Sequence, residues 1–383
     1  MRRHLTLLIA LIALLAVAAP ASAQIPPIPP IPPIFPPKPQ PTPTPTPVPV
    51  PTPERDWRAP GANDPNPLLG TKFYVDMVEQ PAAKWYRRYQ RSNQPGAAAL
   101  MYKIANQPIF RWIGKTDRNP ERNTRVFLQR AAERSPGAVP GITVLNHVGE
   151  RCGGGYDAGG QREDGRYRRW MRRFIKGLGD NRAIIAFEPD ALGTIKCLRG
   201  SRRAARLRNM HYGIRLLSQK PNVTTYIEAG ASDWRPAREM ARYLRAAGIA
   251  SVRGFSLNIT HFDTDRNNLR YGMRLSRMLG GKHFIINTDE SGRGRVWYRR
   301  WISRAANLWK TVNVWCNPKR SGLGTRPVAT DHPKLDGYLW MSRPAASAGS
   351  CRKWDPRYSM RGGPKAGKFW PKRALLLARQ SNP

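Results

Sequence analysis

The sequence predicts a closed α/β barrel of seven or eight parallel strands, built from residues 64–383. Short apolar, β-rich runs alternate with helix-like segments from about residue 64 onward. Alternation of this kind implies a parallel sheet with helices outside it. Seven or eight such units over roughly 300 residues suit a barrel better than an open sheet. No G-x-G-x-x-G follows the first run, which argues against a dinucleotide-binding sheet.

The chain opens with Arg2 and Arg3, an apolar stretch "LTLLIALIALLAVAA", and Ala21-Ser22-Ala23. A positive start, an apolar core and a small-residue site read as a secretory signal over residues 1–23. The apolar core is too short for a comfortable membrane span, and no later stretch is apolar enough to make one. A secreted, extracellular or wall-associated protein is expected. Residues 24–63 are proline-rich, as in "IPPIPPIPPIFPPKPQPTPTPTPVPVPTP". Proline at that density favours extended polyproline II and excludes helix and sheet. The segment reads as a linker.

The strand candidates are then, in order, "KFYVD" (72–76), "PIFRWI" (108–113), "ITVLNHV" (142–148), "AIIAFE" (183–188), "VTTYIE" (223–228), "VRGFSLNI" (252–259), "KHFIIN" (282–287) and "DGYLWM" (336–341). Between most of them lie segments with bases on one face and Leu, Ala, Trp or Met on the other. Residues 164–178, 201–218, 235–247 and 266–279 are examples. Barrels place their chemistry at the C-terminal ends of strands. There the sequence supplies Trp112, residues 146–151, Glu188, Asp190, Glu228, residues 258–263, residues 287–290 and Trp340. Flat rings with amides and acids suit a sugar, the rings under its apolar faces and the polar groups on its hydroxyls. Nucleophile elbows, P-loops and H-E-x-x-H are absent. No metal or cofactor is expected.

Lysine and arginine total 65 against 25 acids, a formal net charge of +40. Such an excess points to anionic partners, an acidic cell-wall polymer, an anionic glycan or nucleic acid outside the cell, while its scatter along helix-like stretches reads first as a solvated surface. No nucleic-acid motif accompanies it. A monomer without a membrane span is expected. The four cysteines, Cys152, Cys197, Cys316 and Cys351, show no zinc spacing. An exported chain favours disulfides. Three pairings are open, and chain order suggests Cys152 with Cys197 and Cys316 with Cys351.

Several strand ends carry longer motifs. "FEPDALG" resembles the E-P-D-S/A-L signature of glycoside hydrolase family 6, the cellulases that include endoglucanases and cellobiohydrolases. "YIEAGASDW" (226–234) is similar to that family's Y-L-D-A-G-x-x-x-W, and "VRGFSLNITHF" to its R-G-x-x-x-N-V-x-N-Y. "WCNPKRSGLGTRP" (315–327) is similar to its W-C-N-x-x-G-x-G-x-R-P, and "NPLLGTKFYVD" to the start of its catalytic domain. The matches run in order from about 66 to 345. The resemblance implies a distorted α/β barrel and inverting hydrolysis of β-1,4-glucan. It implies Asp190 as general acid. It also implies Trp112, Trp234 and Trp315 under glucosyl units, and Asn258 and His261 in the cleft. Core packing is the competing role for each tryptophan. The same disulfide pairing is implied.

Four departures accompany the resemblance. The family's Arg-Asp-Cys is Glu150-Arg151-Cys152 here, so a carboxylate has moved one place to Glu150, a second catalytic candidate. Leu145 stands where the family has a tyrosine, and His261 where it has a second asparagine. Ser342 and Arg343 stand where its lysine falls, and no carboxylate lies between Pro344 and Cys351. The family's base is therefore missing; Asp289 and Glu290 are the nearest substitutes in the sequence. Two readings follow: a secreted β-1,4-glucan hydrolase, or a glycan-binding protein of weak or no activity on the same scaffold.

Overall fold

A computed structural model of the protein describes residues 64–147, 164–198, 200–303 and 307–381. The expected signal and linker lie outside the described residues, as do Glu150 and Cys152. Strands β1 (Arg111–Gly114), β2 (Gly141–Leu145), β3 (Ala183–Phe187), β4 (Val223–Glu228), β5 (Gly254–Leu257) and β6 (His283–Asn287) follow one another in the chain. A two-stranded ribbon comes next, β7 (Trp297–Ser303) paired antiparallel with β8 (Leu308–Asn313). Then come the short β9 (Val328–Ala329) and β10 (Leu335–Leu339). The main sheet runs β1-β2-β3-β4-β5-β6-β10-β9. Every neighbouring pair is parallel except β10 with β9.

Helices α1 (Pro81–Arg91), α2 (Pro95–Ala105), α3 (Pro120–Arg134), α4 (Asp164–Leu178), α5 (Gly200–Ser218), α6 (Ala237–Ala247), α7 (Asp265–Met278) and α8 (Pro371–Arg379) complete the fold. α3 to α7 each connect successive strands of the set β1 to β6. Local chemistry starts and stops them. The Asn119 side chain accepts the Arg122 amide at the head of α3, and Thr264 does the same for Asn267 at α7. Gly248, at φ 94°, ends α6 in the left-handed conformation that a side chain would oppose.

The central strands of the parallel sheet are buried on both faces, and β3 is an unbroken apolar run. In β3, Ile185 and Phe187 join the helix-side core with Phe174 of α4 and Ile214 of α5. Ile184 and Ala186 point the other way and pack with Tyr226, Ile285 and Leu339 inside the curl of the sheet. Polar residues fill the interior near the N-terminal ends of β5 and β6. There Arg253 grips Asp336 through Nε and Nη2, both at 2.9 Å, while Tyr226 Oη donates to the same carboxylate at 2.6 Å. His283 Nδ1 lies 3.0 Å from it.

The curl closes weakly. Between the β1 and β10 sides the sheet is joined by one bridge, Ile109 to Trp340, in which the Phe110 amide donates to the Trp340 carbonyl at 2.9 Å. The eight-stranded curled sheet is thus the expected distorted barrel, with three local corrections. The run 72–76 forms only a bridge, Phe73 to Val139, because Asp76 Oδ1 accepts the amides of Val78 and Glu79 and turns the chain away. The run 108–113 yields a strand beginning only at Arg111. The β7–β8 ribbon and β9 were not anticipated; polar and cationic residues interrupt any apolar run in the ribbon, and β9 is only two residues long.

Candidate active site

β3 ends on Glu188, Pro189 and Asp190. Both acids adopt left-handed backbone, with φ of 57° and 68°. Asn258, at the end of β5, does the same at 67°. Such backbone costs about 1–3 kcal/mol in a side-chain-bearing residue and persists where the surroundings enforce it. Proline between the two acids prevents the strand from continuing and sends them to different tasks.

Glu188 is fully buried and looks back into the scaffold. Its Oε2 accepts the amides of Asn146 (2.7 Å) and His147 (2.6 Å), and its Oε1 accepts the Tyr167 hydroxyl (3.1 Å). Burial pushes its pKa up to about 7 despite these donors. Asp190 turns to a cavity of about 510 Å³ at the C-terminal ends of the strands. Its Oδ1 accepts the Thr260 hydroxyl at 2.6 Å across the gap between β3 and β5, so it does not cap the turn that follows. Burial raises its pKa, offset in part by that hydrogen bond and by the nearby His261 and Arg206. Its amide donates to Glu228 Oε2 at 3.1 Å, and the Gly230 amide to Glu228 Oε1 at 2.6 Å. Burial first, and the charge of Asp190 second, hold Glu228 well above the usual carboxylate range. The two carboxyls thus favour at least one proton between them.

Asp190 shares the cavity wall with two further acids, Asp289 and Glu290. Asp289, just past β6, is buried and accepts from Asn287 Nδ2 (2.6 Å) and from the Ser342 hydroxyl. Burial, and then the adjacent Glu290, lift its pKa to about 7. Glu290 is held by the buried Arg373 of α8 and by the Ala345 amide at 2.8 Å. Both acids are buried.

Trp112, Trp234, His261 and Trp315 all line the cavity. Trp112 is anchored by its Nε1, which donates to the Met341 carbonyl at 2.9 Å, and the Arg343 guanidinium lies 5.6 Å from its ring. Trp234 stacks on His261 with centroids 4.6 Å apart, and His261 Nδ1 lies 2.8 Å from Asp233 Oδ1. Gly193 permits this arrangement: a Cβ there would sit 2.4 Å from the Trp234 ring. Trp315 is 46% exposed, with Trp354 against its edge. Asn258 stands behind the wall instead. Its Nδ2 donates to the carbonyls of Asp263 (3.1 Å) and Asn287 (3.0 Å), tying β5 to β6, and it does not line the cavity.

Cys316 and Cys351 form a disulfide. Cys197 is a free, exposed thiol at the cavity rim; its expected partner, Cys152, is outside the described residues. Thr260 and Ser342, the hydroxyls that meet Asp190 and Asp289, were missed as site residues, since lone hydroxyls leave no spacing signature.

The family model for glycosyl hydrolases family 6 matches residues 68–381. This chain belongs to glycosyl hydrolase family 6. Its structure superposes on the family 6 endoglucanase Cel6 from Mycobacterium tuberculosis, solved with methyl-cellobiosyl-4-deoxy-4-thio-β-D-cellobioside. That match has a TM-score of 0.70 and 32% identity, over 82% of this chain and 99% of the other. Endoglucanase A of Cellulomonas fimi is 31% identical over 83% of this family 6 chain, which spans 62% of that relative's length. Endoglucanase 1 of Streptomyces halstedii is 29% identical, over 83% of this chain and 92% of that one.

Proposed function

We propose that this protein is a secreted β-1,4-glucan hydrolase that inverts configuration, with Asp190 as general acid. The observation that carries the reading is the Asp190 carboxyl itself, buried in the wall of a tryptophan-lined cavity with its pKa raised by burial. The endoglucanase names of the relatives, and the cellobioside held by one of them, support β-glucan as the substrate. The signal-like leader and the Cys316–Cys351 disulfide support export.

Hydrolysis of a glycosidic bond needs a proton on the leaving oxygen and a water on the opposite face of the sugar. Thr260 occupies Asp190 Oδ1, which leaves Oδ2 to carry the proton. In the step proposed, that proton passes to the glycosidic oxygen as the C1–O bond breaks. Water attacks C1 and yields a proton to a base. Asp289 is assigned as that base: it lines the same cavity and titrates near 7, where a base is half ready at neutral pH. Glu150 is assigned the supporting role of the family's lost aspartate, keeping Asp190 protonated. Solvent exchange then restores both acids. Trp112, Trp234 and Trp315 hold the flanking sugars, and His261 keeps Trp234 in place.

The test is reducing-sugar release from soluble β-glucan, with the anomer of the first product followed by NMR. Asp190→Asn keeps shape and one acceptor but cannot donate the proton. Turnover should fall by roughly 10²–10⁴-fold with binding retained, and aryl or fluoride leaving groups should suffer less. Absence of wild-type turnover above background would leave a glycan-binding scaffold. Retained configuration in the first product would exclude the water attack proposed.

A further inference from the structure

The β7–β8 ribbon leaves the barrel beside the cavity. Its root is part of the cleft wall: Asn313 lines the cavity and donates to Asp233 Oδ2 at 2.8 Å, the acid whose other oxygen holds His261. Side chains alternate across a strand. The pairing places Trp297 opposite Asn313, Arg299 opposite Thr311, and Trp301 opposite Trp309 on one face. Tyr298, next along, is buried against Tyr358 and belongs to the other face, which packs on the body at its root. The first face therefore looks outward, and Trp297, Trp301 and Trp309 are 44%, 39% and 39% exposed.

The chemistry of this face is cationic as well as aromatic. Arg299 lies 5.1 Å from the Trp309 ring, and Trp301 and Trp309 pack together at 3.8 Å; Arg295 lies 5.0 Å from Trp297 but is already paired with Asp263 at 3.1 Å. The Trp309 ring thus backs the Arg299 guanidinium instead of offering an open face. A guanidinium stacked on an aromatic keeps its N–H edges free to meet a planar anion. Beyond Arg299, Arg300 and Lys310 oppose each other directly on the second face, both exposed. Like charges at paired positions destabilise a ribbon. No carboxylate among the described residues pairs with Arg299, Arg300 or Lys310, and no Asp or Glu occurs anywhere from 291 to 330. Three uncompensated cations on the ribbon, Arg299 on the outward face and Arg300 with Lys310 on the other, call for an anion from outside. Its continuity with the cavity says that the anion is carried by the same polymer.

We propose that this ribbon extends the cleft and binds an anionically substituted β-glucan chain, selecting it over the neutral chain. The inference rests on reading the cavity as a glucan cleft. It is tested with the full mature protein and the variant R299Q/R300Q/K310Q, whose positions are all exposed. Affinity electrophoresis in carboxymethyl-cellulose and in hydroxyethyl-cellulose gives the readout, with Asp190→Asn in each background to stop turnover. The wild type should bind the carboxymethyl polymer more tightly, and the preference should shrink in high salt. The triple variant should lose roughly tenfold on the carboxymethyl polymer and nothing on the neutral one. A control, R169Q/R238Q/R242Q on α4 and α6, removes equal charge elsewhere and should change neither. Equal losses on both polymers, no loss on either, or an equal loss in the control would overturn the proposal. So would a variant whose binding to phosphatidylglycerol vesicles falls while its polymer preference stays. Hydrolysis of cellotetraose should be the same in wild type and triple variant. If the wild type leaves cellotetraose intact, the hydrolase reading fails by itself, because the polymer preference is read as binding.

Discussion

Asp190 and Glu188 are two residues apart and share a desolvated surrounding, yet their partners separate their roles. Asp190 has one hydroxyl and a cavity; Glu188 has two amides, a phenol and no outlet. Glu188 should leave its mark on stability. Its pKa is about 7 when folded and 4.5 otherwise. Below 4.5 it is protonated in both states and adds no pH dependence. Between 4.5 and 7 the unfolded chain loses the proton while the folded one keeps it. Stability therefore falls across that window, by up to about 3 kcal/mol, and levels off above it. Thermal melts of Glu188→Gln against wild type from pH 4 to 8 should show a flatter profile in the variant. Gly193 offers a second test at this scale. Gly193→Ala drives a methyl into the Trp234 ring. KM on cello-oligosaccharides should rise several-fold while the melting temperature moves little, because the ring can yield toward the cavity. A large fall in melting temperature with unchanged KM would make Trp234 a core residue.

At the level of elements, α8 reaches the site through one side chain. Arg373 is buried, pairs with Glu290 and donates to the Pro318 carbonyl at 2.8 Å. Removing one partner of such a pair strands the other charge. Arg373→Met should cost about 3–5 kcal/mol, read by denaturant unfolding. It should also move the Asp289 limb of the pH–rate profile, since Glu290 lies beside that acid. The amphipathic helices were the most legible elements. Segment 164–178 alternates bases with Tyr167, Trp170, Met171 and Phe174, all of them buried in α4. The ribbon was illegible for the opposite reason: Trp297, Trp301, Leu308 and Trp309 are exposed among cations, and Tyr298 alone is no pattern to read. The run 72–76 has strand composition, but the Asp76 turn overrides it.

Across the whole molecule, the order of strand and helix was readable because each βα unit repeats one pattern. The cavity's tryptophans and Asp190 were readable because they sit where strands end. The identity of Asp289 as a cavity acid was not settled by sequence, since only folding shows that Ser342 from β10's end meets it. An amide at a strand end looks the same in sequence whether it faces sugar or, as Asn258 does, two carbonyls. Cys316–Cys351 closes a separation of 35 residues around the rim that carries Trp315. Reduction should cost roughly 3–4 kcal/mol on the chain-entropy model. It should also weaken oligosaccharide binding, with both effects absent in a Cys316→Ser/Cys351→Ser protein treated the same way.

The seam between the β1 and β10 sides gives the barrel a clasp where the rest of its ring is welded. One backbone hydrogen bond, from Phe110 to Trp340, spans it, helped by Trp112 and Thr143, whose side chains both donate to the Met341 carbonyl. A ladder must break as a whole, but a clasp can open alone. Hydrogen exchange should find the Phe110 amide releasing its proton well before those of Ile184 to Phe187. Both side-chain fingers of the clasp belong to the cavity end, and one of them, Trp112, is itself a cavity wall. A chain settling on Trp112 would press the clasp shut, so occupancy of the cleft should slow exchange at the seam and leave β3 unchanged.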